Sequence, residues 1–245
     1  MSGHSKWSTI KRKKGVADAK RGKIFTSIIK EITVAARNGG GDESGNPRLR
    51  QAISKAKSAN MPNDNIVKAI KKGTGELPGV HYEEATFEGY GPGGVAIFLE
   101  VLTDNHKRTV AEIRHLMTKY GGNLGENGSV AWMFDRKGQI ILDLNAGDEE
   151  TLFEMALEVG ADDFDTEDEE YIISTTPSKL LEVKEHFIKK EIPIKTSDID
   201  MIPKSLQKLE GKDSDKALEL LEALEDHDDT ILVATNLDVT LPEQD

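Results

Sequence analysis

The chain has 245 residues, a formal net charge of −12 at pH 7 and no cysteine. The lack of cysteine excludes disulfides, thiolate catalysis and cysteine-ligated metal centres, and it argues against a disulfide-stapled secreted scaffold. Hydrophobic residues make up 37% of the chain, which is enough for a packed core. The longest apolar run, residues 95–99, is far too short to cross a bilayer, and no apolar stretch follows the N-terminal cations. We therefore expect a cytoplasmic protein that does not insert into membranes.

The charge is distributed unevenly along the chain. Residues 1–78 contain 17 Lys and Arg against 6 Asp and Glu, whereas the remaining 167 residues contain 15 against 38. A basic segment on an acidic body is typical of a protein whose basic part binds a polyanion such as nucleic acid. The alternative is a molecule whose basic segment folds onto its own acidic surface.

Three helices are predicted in the basic segment, after an arm of 21 residues that has too few apolar side chains to form a core. The first helix has an apolar pattern over residues 24–36 and ends at a glycine run. The second begins at Asn46-Pro47, a capping residue followed by a proline in the first turn. The third follows a break at 60–62, loosely like a helix-turn-helix, and ends at Gly73. Together they predict a small three-helix bundle.

Beyond residue 78 the hydrophobic period changes from helical to extended. The predicted strands are 82–87, 95–102, 130–134, 139–144, 171–175, 199–202 and 230–239, and the predicted helices are 107–120, 149–159, 177–190 and 214–226. Between 139 and 202 we predict the order strand, helix, strand, strand, helix, strand of a ferredoxin-like unit, in which the hydrophobic pattern locates three of the four strands. The flanking segments are each too short to form a domain alone, so we predict that they form one split domain.

The predicted fold class is therefore α+β, with an N-terminal three-helix bundle and two α+β domains, of which the ferredoxin-like one is inserted into the other. The predicted domains are 1–78 (basic arm and helices), 79–137 with 204–245 (split domain) and 138–203 (inserted domain). Tandem domains are the alternative.

Gly89 to Gly94 match the spacing G-x-G-x-x-G of dinucleotide-binding loops. That fingerprint requires a helix after the glycines, whereas here a strand is predicted, so a hairpin connection is the better interpretation. The sequence contains no phosphate-binding G-x-x-x-x-G-K-[ST] loop, no H-E-x-x-H pair and no G-x-S-x-G elbow. No catalytic residues and no cofactor are therefore predicted.

Two acidic runs could suggest a cation site. Residues 162–170 lack the glycine and the final glutamate of an EF-hand, so we interpret them as a solvated turn between two strands. Residues 225–229 offer carboxylates and one imidazole at a predicted helix end, where cations are favoured in any case. The other five histidines are scattered without metal-ligand spacing. No metal site is predicted.

Lys107 and Arg108 follow the capping pair Asp104-Asn105 in the first turn of a predicted helix. Cations at this position interact unfavourably with the helix dipole. A bound anion would offset this cost, so Lys107, Arg108 and the helix N–H groups form a candidate phosphate site. The alternative is two exposed side chains that carry a small energetic penalty.

The basic N-terminal segment is the strongest functional feature. Its second helix contains no acid between Arg48 and Lys57, whereas ordinary solvated helix faces mix both signs. Aromatic residues make up only 5% of the chain, so recognition by base stacking is not expected. The candidate nucleic-acid-binding residues are Lys6, Lys11, Arg12, Lys13, Lys14, Lys20, Arg21, Arg48, Arg50, Lys55, Lys57, Lys68, Lys71 and Lys72.

Several motifs closely resemble the YebC/PmpR family. They are Gly3-His4-Ser5-Lys6-Trp7, Lys13-Lys14, residues 25–32, Met61-Pro62-Asn63, Glu88 to Gly94, Thr103-Asp104-Asn105 with Arg108-Thr109, and Gly121-Gly122-Asn123. The resemblance spans essentially the whole chain and implies a three-domain fold with a helical N-terminal domain.

The resemblance implies two kinds of function. Bacterial members are described as probable DNA-binding transcriptional regulators, whereas mitochondrial members look like translational activators and other bacterial members resemble ribosome-associated factors that relieve stalled synthesis. Both functions need a polyanionic partner, either promoter DNA or ribosomal RNA and mRNA. The leading hypothesis is a DNA-binding transcriptional regulator, the alternative is a ribosome- or mRNA-associated translation factor, and an enzyme is the third class. The family offers no agreed catalytic residues, and no feature of the sequence specifies an oligomeric state.

Overall fold

The computed structural model describes Trp7 and residues 18–167 and 170–239. Its helices are α1 (Asp18–Gly39), α2 (Pro47–Ser58), α3 (Asn63–Gly73), α4 (His106–Lys119), α5 (Glu149–Glu158), α6 (Leu180–Lys189) and α7 (Gly211–Glu225). Its strands are β1 (Glu83–Tyr90), β2 (Ala96–Thr103), β3 (Asn123–Leu124), β4 (Phe134–Asp143), β5 (Asp163–Glu167), β6 (Glu170–Thr175), β7 (Thr196–Pro203), β8 (Gln207–Leu209), β9 (Thr230–Thr235) and β10 (Leu237–Val239). N-terminal helices followed by antiparallel sheets confirm the predicted α+β class. Among the residues described, no helix is both long and apolar enough to span a bilayer.

The chain forms two compact units. The described residues of the first unit are 18–130 and 209–233. Those of the second are Trp7, 234–239 and the described part of 131–208. The domain boundaries predicted from the sequence stay a prediction.

Helices α1, α2 and α3 pack around one apolar core in the first unit. Ile32 of α1, Leu49 of α2 and Ile66 of α3 belong to this core and are at most 3% exposed. Met61, in the short link between α2 and α3, is buried in the same core. The break at 60–62 therefore contributes to packing, and the apolar spacing that predicted three helices is the spacing that fills this core.

Asn46 caps helix α2, as the sequence predicted. Its Oδ1 accepts a hydrogen bond from the backbone N–H of Leu49 at 3.0 Å. Its Nδ2 donates to the carbonyls of Ala35 (2.8 Å) and Gly40 (2.9 Å), at the end of α1. This buried side chain thus satisfies three backbone groups that the helix ends would otherwise leave unpaired.

Replacing Asn46 with alanine is expected to lower the free energy of unfolding by about 1.5 kcal/mol, because the cap and two further hydrogen bonds, one buried and one partly buried, are lost together. Urea denaturation followed by circular dichroism measures the change. Ser44→Ala is the matched control, because the Ser44 hydroxyl is exposed and, among the described residues, donates to Asp42 alone. Equal stability of the two variants would contradict the capping role.

The sheet of the first unit has the strand order β3-β1-β2-β9. Strands β1 and β2 pair antiparallel along their full length, from Glu83 opposite Thr103 to Tyr90 opposite Ala96. The glycine-rich segment connects them as a hairpin, in which the N–H of Gly91 donates to the carbonyl of Val95 at 2.8 Å. The predicted hairpin is confirmed, and the strand that follows the glycines removes the context of a dinucleotide-binding loop.

The sheet of the second unit has the order β5-β6-β4-β7 with antiparallel neighbours. With α5 and α6 between the strands, this is the strand order of the ferredoxin-like arrangement. Its core includes Ile140 of β4, Leu152 of α5 and Phe187 of α6, none of which is measurably exposed.

The interpretation of residues 162–170 as a solvated turn is wrong for 163–167. These residues form strand β5, which pairs antiparallel with β6. Phe164 lies within 5.5 Å of Tyr171, measured between ring centroids, and it packs against the core of this unit. Cross-strand pairing and burial of this ring outweigh the poor strand propensity of the aspartates beside it.

The strand predicted over 130–134 is also wrong in most of its length. Residues Ala131–Met133 form a 3₁₀ turn, and β4 begins at Phe134. Phe134 pairs with Pro203, the last residue of β7. One further backbone hydrogen bond follows this pair, from the N–H of Lys204 to the carbonyl of Met133 at 2.9 Å, so the 3₁₀ turn keeps a partner where the strand was predicted.

Candidate nucleic-acid interface

Helix α3 presents three lysines on the side opposite its core contacts. Ile66 and Ala69 are buried, whereas Lys68, Lys71 and Lys72 are exposed. None of the three lysines forms an ion pair with another described residue. Lys71 and Lys72 lie in the last turn, where cations also interact favourably with the helix dipole. These three side chains, called the α3 lysines below, are therefore exposed cations that a phosphate backbone could approach.

Helix α2 adds two more exposed cations. Lys55 and Lys57 lie in its last turn, on the flanks of a buried apolar stripe. The first turn contains no acidic residue. The lysines predicted from the sequence are thus exposed on two consecutive helices of the same bundle.

Arg48 differs from the lysines because it is engaged by carboxylates. Its Nε and Nη2 donate to the two carboxylate oxygens of Glu31, at 2.7 and 3.1 Å. It also forms an ion pair with Glu84 at the start of β1. Burial alone would lower the pKa of Arg48, but these two carboxylates raise it above its ordinary value. A phosphate would have to compete with both of them for this guanidinium.

Arg50 is engaged by the backbone. Its Nε donates to the carbonyl of Glu43 at 3.1 Å and its Nη2 to that of Ser44 at 2.8 Å. The side chain therefore bridges the loop before α2. The other predicted cations lie outside the described part of the chain, either entirely or by their side chains: Lys6, Lys11, Arg12, Lys13, Lys14, Lys20 and Arg21.

The candidate phosphate site lies at the start of α4, where both Lys107 and Arg108 are exposed. Asn105 caps this helix by accepting from the backbone N–H of Arg108 at 3.1 Å. The Arg108 guanidinium forms ion pairs with Asp229 at 2.7 Å, Asp104 at 3.0 Å and Glu112 at 3.7 Å. The bond to Asp229, followed by the one to Asp104, raises the pKa of Arg108.

These carboxylates explain why the helix tolerates a cation in its first turn, because their attraction offsets the unfavourable interaction with the dipole. An anion bound at Arg108 would compete with Asp229. Lys107 is also exposed, and it forms no ion pair with another described residue. A phosphate site at Lys107 and Arg108 stays a prediction.

Asp229 is the buried centre of this region. Its Oδ2 accepts from Arg108 and from the hydroxyl of Thr109, both at 2.7 Å. Its Oδ1 accepts from the ammonium of Lys30 at 2.7 Å. The side chain of Asp229 is only 4% exposed. Burial alone would raise the pKa of Asp229, but the hydrogen bonds that it accepts, the strongest from Lys30, hold the pKa well below its ordinary value.

Lys30 projects from α1 and is itself buried. Besides Asp229, its ammonium donates to the carbonyls of Leu102 (3.2 Å) and Asp228 (3.0 Å). All three of its N–H donors are thereby used. The basic helical bundle is thus joined to β2 and to the start of β9 by a fully hydrogen-bonded buried ion pair.

The sequence singled out residues 225–229 only as candidate metal ligands and did not identify Lys30. Among the described residues, no group of His, Asp and Glu is arranged to hold a metal ion. The two charges are 199 positions apart, so no local pattern reveals their contact. The only local signal is a lysine flanked by the apolar residues of α1.

Comparisons with known proteins place the whole chain in one family. Residues 5–76 match the model described as the TACO1/YebC protein N-terminal domain. Residues 82–237 match the model described as the TACO1/YebC second and third domain. The chain therefore belongs to the TACO1/YebC family, as its motifs predicted.

Individual relatives agree with this assignment. A protein of Geobacter sulfurreducens is 56% identical over 245 residues, which cover 100% of this chain and 99% of the relative. One of Chlorobaculum parvum is 55% identical over 241 residues, which cover 98% and 96%. Both are named probable transcriptional regulatory protein. The crystal structure of a conserved hypothetical protein from Aquifex aeolicus is 46% identical, with a TM-score of 0.84 over 93% of this chain and 94% of that one.

Proposed function

We propose that this protein is a transcriptional regulator that binds duplex DNA through its N-terminal helical bundle. The observation that carries the proposal is the set of exposed lysines on α2 and α3, in a segment with 17 Lys and Arg against 6 Asp and Glu. The names of the relatives, which describe probable transcriptional regulation, support a regulatory role. Lysines without an aromatic partner contact phosphate more than base edges, so this surface would position the protein on DNA and contribute little sequence readout.

Binding to a 30-base-pair duplex, measured by fluorescence anisotropy between 50 and 300 mM salt, tests the proposal. Replacing the α3 lysines by alanine is expected to weaken binding about thirtyfold at 100 mM salt. The log–log salt slope should fall in magnitude by about two to three, because each phosphate contact releases roughly 0.9 of a counterion. Alanine favours helices, so α3 should remain folded.

The matched control replaces three exposed lysines outside the bundle, Lys189, Lys190 and Lys212. This control should bind DNA as the unmodified protein does. Unchanged DNA binding by the α3 variant would contradict the proposal. If RNA of the same sequence bound about ten times more tightly than the DNA duplex, the translation-factor alternative would replace it.

A further inference from the structure

Helix α5 of the ferredoxin-like unit has two apolar faces. Leu152 and Ala156 are buried in the core of the unit. Phe153 and Leu157, also one turn apart, are 43% and 57% exposed. A surface helix normally has one apolar stripe, which faces the core. The second stripe therefore calls for a separate explanation, and exposed aromatic side chains are frequent anchors of protein interfaces.

The exposed Phe153 is held in place by a chain of aromatic contacts. Its ring meets Phe164 of β5 edge to face, with centroids 5.8 Å apart. Phe164 in turn lies 5.5 Å from Tyr171, which is buried in the core. The ring is therefore oriented before any partner arrives, which reduces the conformational entropy lost on binding.

The segment that carries this stripe is strongly acidic. Residues 138–178 contain 13 Asp and Glu and no Lys or Arg. Lys195 pairs with two of its carboxylates, Asp143 and Glu170. The Lys179 ammonium donates to the carbonyl of Gly160 just beyond α5, at 3.4 Å. On α5 itself, Glu150 and Glu154 are exposed and lie next to the apolar pair in helical projection. Such a surface repels nucleic acid and anionic lipid and attracts a cationic partner.

We propose that the exposed stripe of α5, Phe153 and Leu157 with Glu150 and Glu154 beside it, docks a cationic amphipathic helix of another protein. The spacing of one helical turn between Phe153 and Leu157 matches apolar side chains at positions i and i+4 of a partner helix. The glutamates pair with Lys or Arg that flank the partner's apolar face. This surface is independent of the proposed DNA-binding lysines.

A fluorescein-labelled 18-residue peptide of leucine and lysine, with one apolar face, serves as the probe. It is titrated with the full-length protein at 150 mM salt and followed by anisotropy. A scrambled peptide of equal charge, with no apolar face, should bind at least tenfold more weakly. The protein variant Phe153→Ser/Leu157→Ser should also lose tenfold or more in affinity, because both anchors are removed. Glu150→Gln/Glu154→Gln should weaken binding and reduce its salt dependence.

Ile188→Ser is the matched control, because Ile188 of α6 is also an exposed apolar residue of this unit, at 54%. It should bind the peptide normally, as should the α3 lysine variant. Equal binding of the scrambled peptide, or unchanged binding by the Phe153/Leu157 variant, would reduce the effect to unspecific charge attraction and overturn the proposal. A dimer in sedimentation experiments that only the Phe153/Leu157 variant dissociates would also overturn the proposal, because a second copy of the protein would then cover the stripe.

Discussion

Replacing Asp229 with asparagine is expected to lower the free energy of unfolding by about 3 kcal/mol, because the buried ammonium of Lys30 loses its counter-charge. The two side chains are 4% and 8% exposed and lie 2.7 Å apart. Asparagine keeps the shape of aspartate but not its charge, so the loss measures the contacts of the carboxylate with Lys30, Arg108 and Thr109 and not a cavity. Urea denaturation at pH 7 gives the value.

Asp104→Asn is the matched control, because Asp104 binds the same guanidinium of Arg108 but is exposed. Its loss should cost less than about 0.5 kcal/mol, as expected for a surface ion pair. A cost for Asp229→Asn as small as that of the control would show that the buried pair does not stabilise the fold.

The same ion pair should give the stability a specific dependence on pH. The pKa of Asp229 is lowered in the folded protein from an ordinary value of 3.8. Its contribution to stability is therefore fully present above the unfolded pKa and is lost as the pH falls through and below 3.8. The difference in stability between the unmodified protein and Asp229→Asn should be constant from pH 8 to pH 5 and shrink in more acidic solution.

Replacing Gly89 with alanine is expected to lower the free energy of unfolding by about 2 to 3 kcal/mol, because strand β1 has no room for a side chain there. A Cβ at this position would lie 2.3 Å from the carbonyl oxygen of Asn123 and 2.8 Å from Cε of Met117. Gly89 pairs with Leu124 of β3 on one side and with Ile97 of β2 on the other. The strand is therefore held from both edges and cannot move away.

Gly45→Ala is the control, since an added Cβ there would meet no atom of the described residues within 4 Å. Its effect should stay within about 0.5 kcal/mol, which is usual for a surface substitution. Thermal and urea denaturation of both variants measure the difference. If Gly89→Ala were as stable as Gly45→Ala, strand β3 would be able to shift and make room for the methyl group, and the expected steric clash would be contradicted.

The helical bundle could be predicted closely because its signals are local. The cap at Asn46 and the following proline place the start of α2, and the structure begins the helix at Pro47. Gly73 ends α3 as predicted. Capping and turn preferences act within a few residues, so these boundaries can be derived without knowing the rest of the fold.

The strands were predicted less well because their partners decide them. Strand β5 lies in an acidic run with low strand propensity and exists through its pairing with β6. Strand β3 has only two residues, Asn123 and Leu124, which pair with Tyr90 and Gly89 of β1. Such pairing depends on residues far away in the sequence, and a local pattern does not contain that information.

For function, the sequence alone determined where the positive charge is concentrated and which family motifs the chain carries. Only the tertiary structure decided which of those charges are already neutralised by carboxylates. Arg48 and Arg108 bind carboxylates from distant parts of the chain, whereas the α3 lysines form no ion pair with any described residue. The reason is physical: the number of charges is a property of composition, but their pairing depends on distances of about 3 Å that folding alone creates.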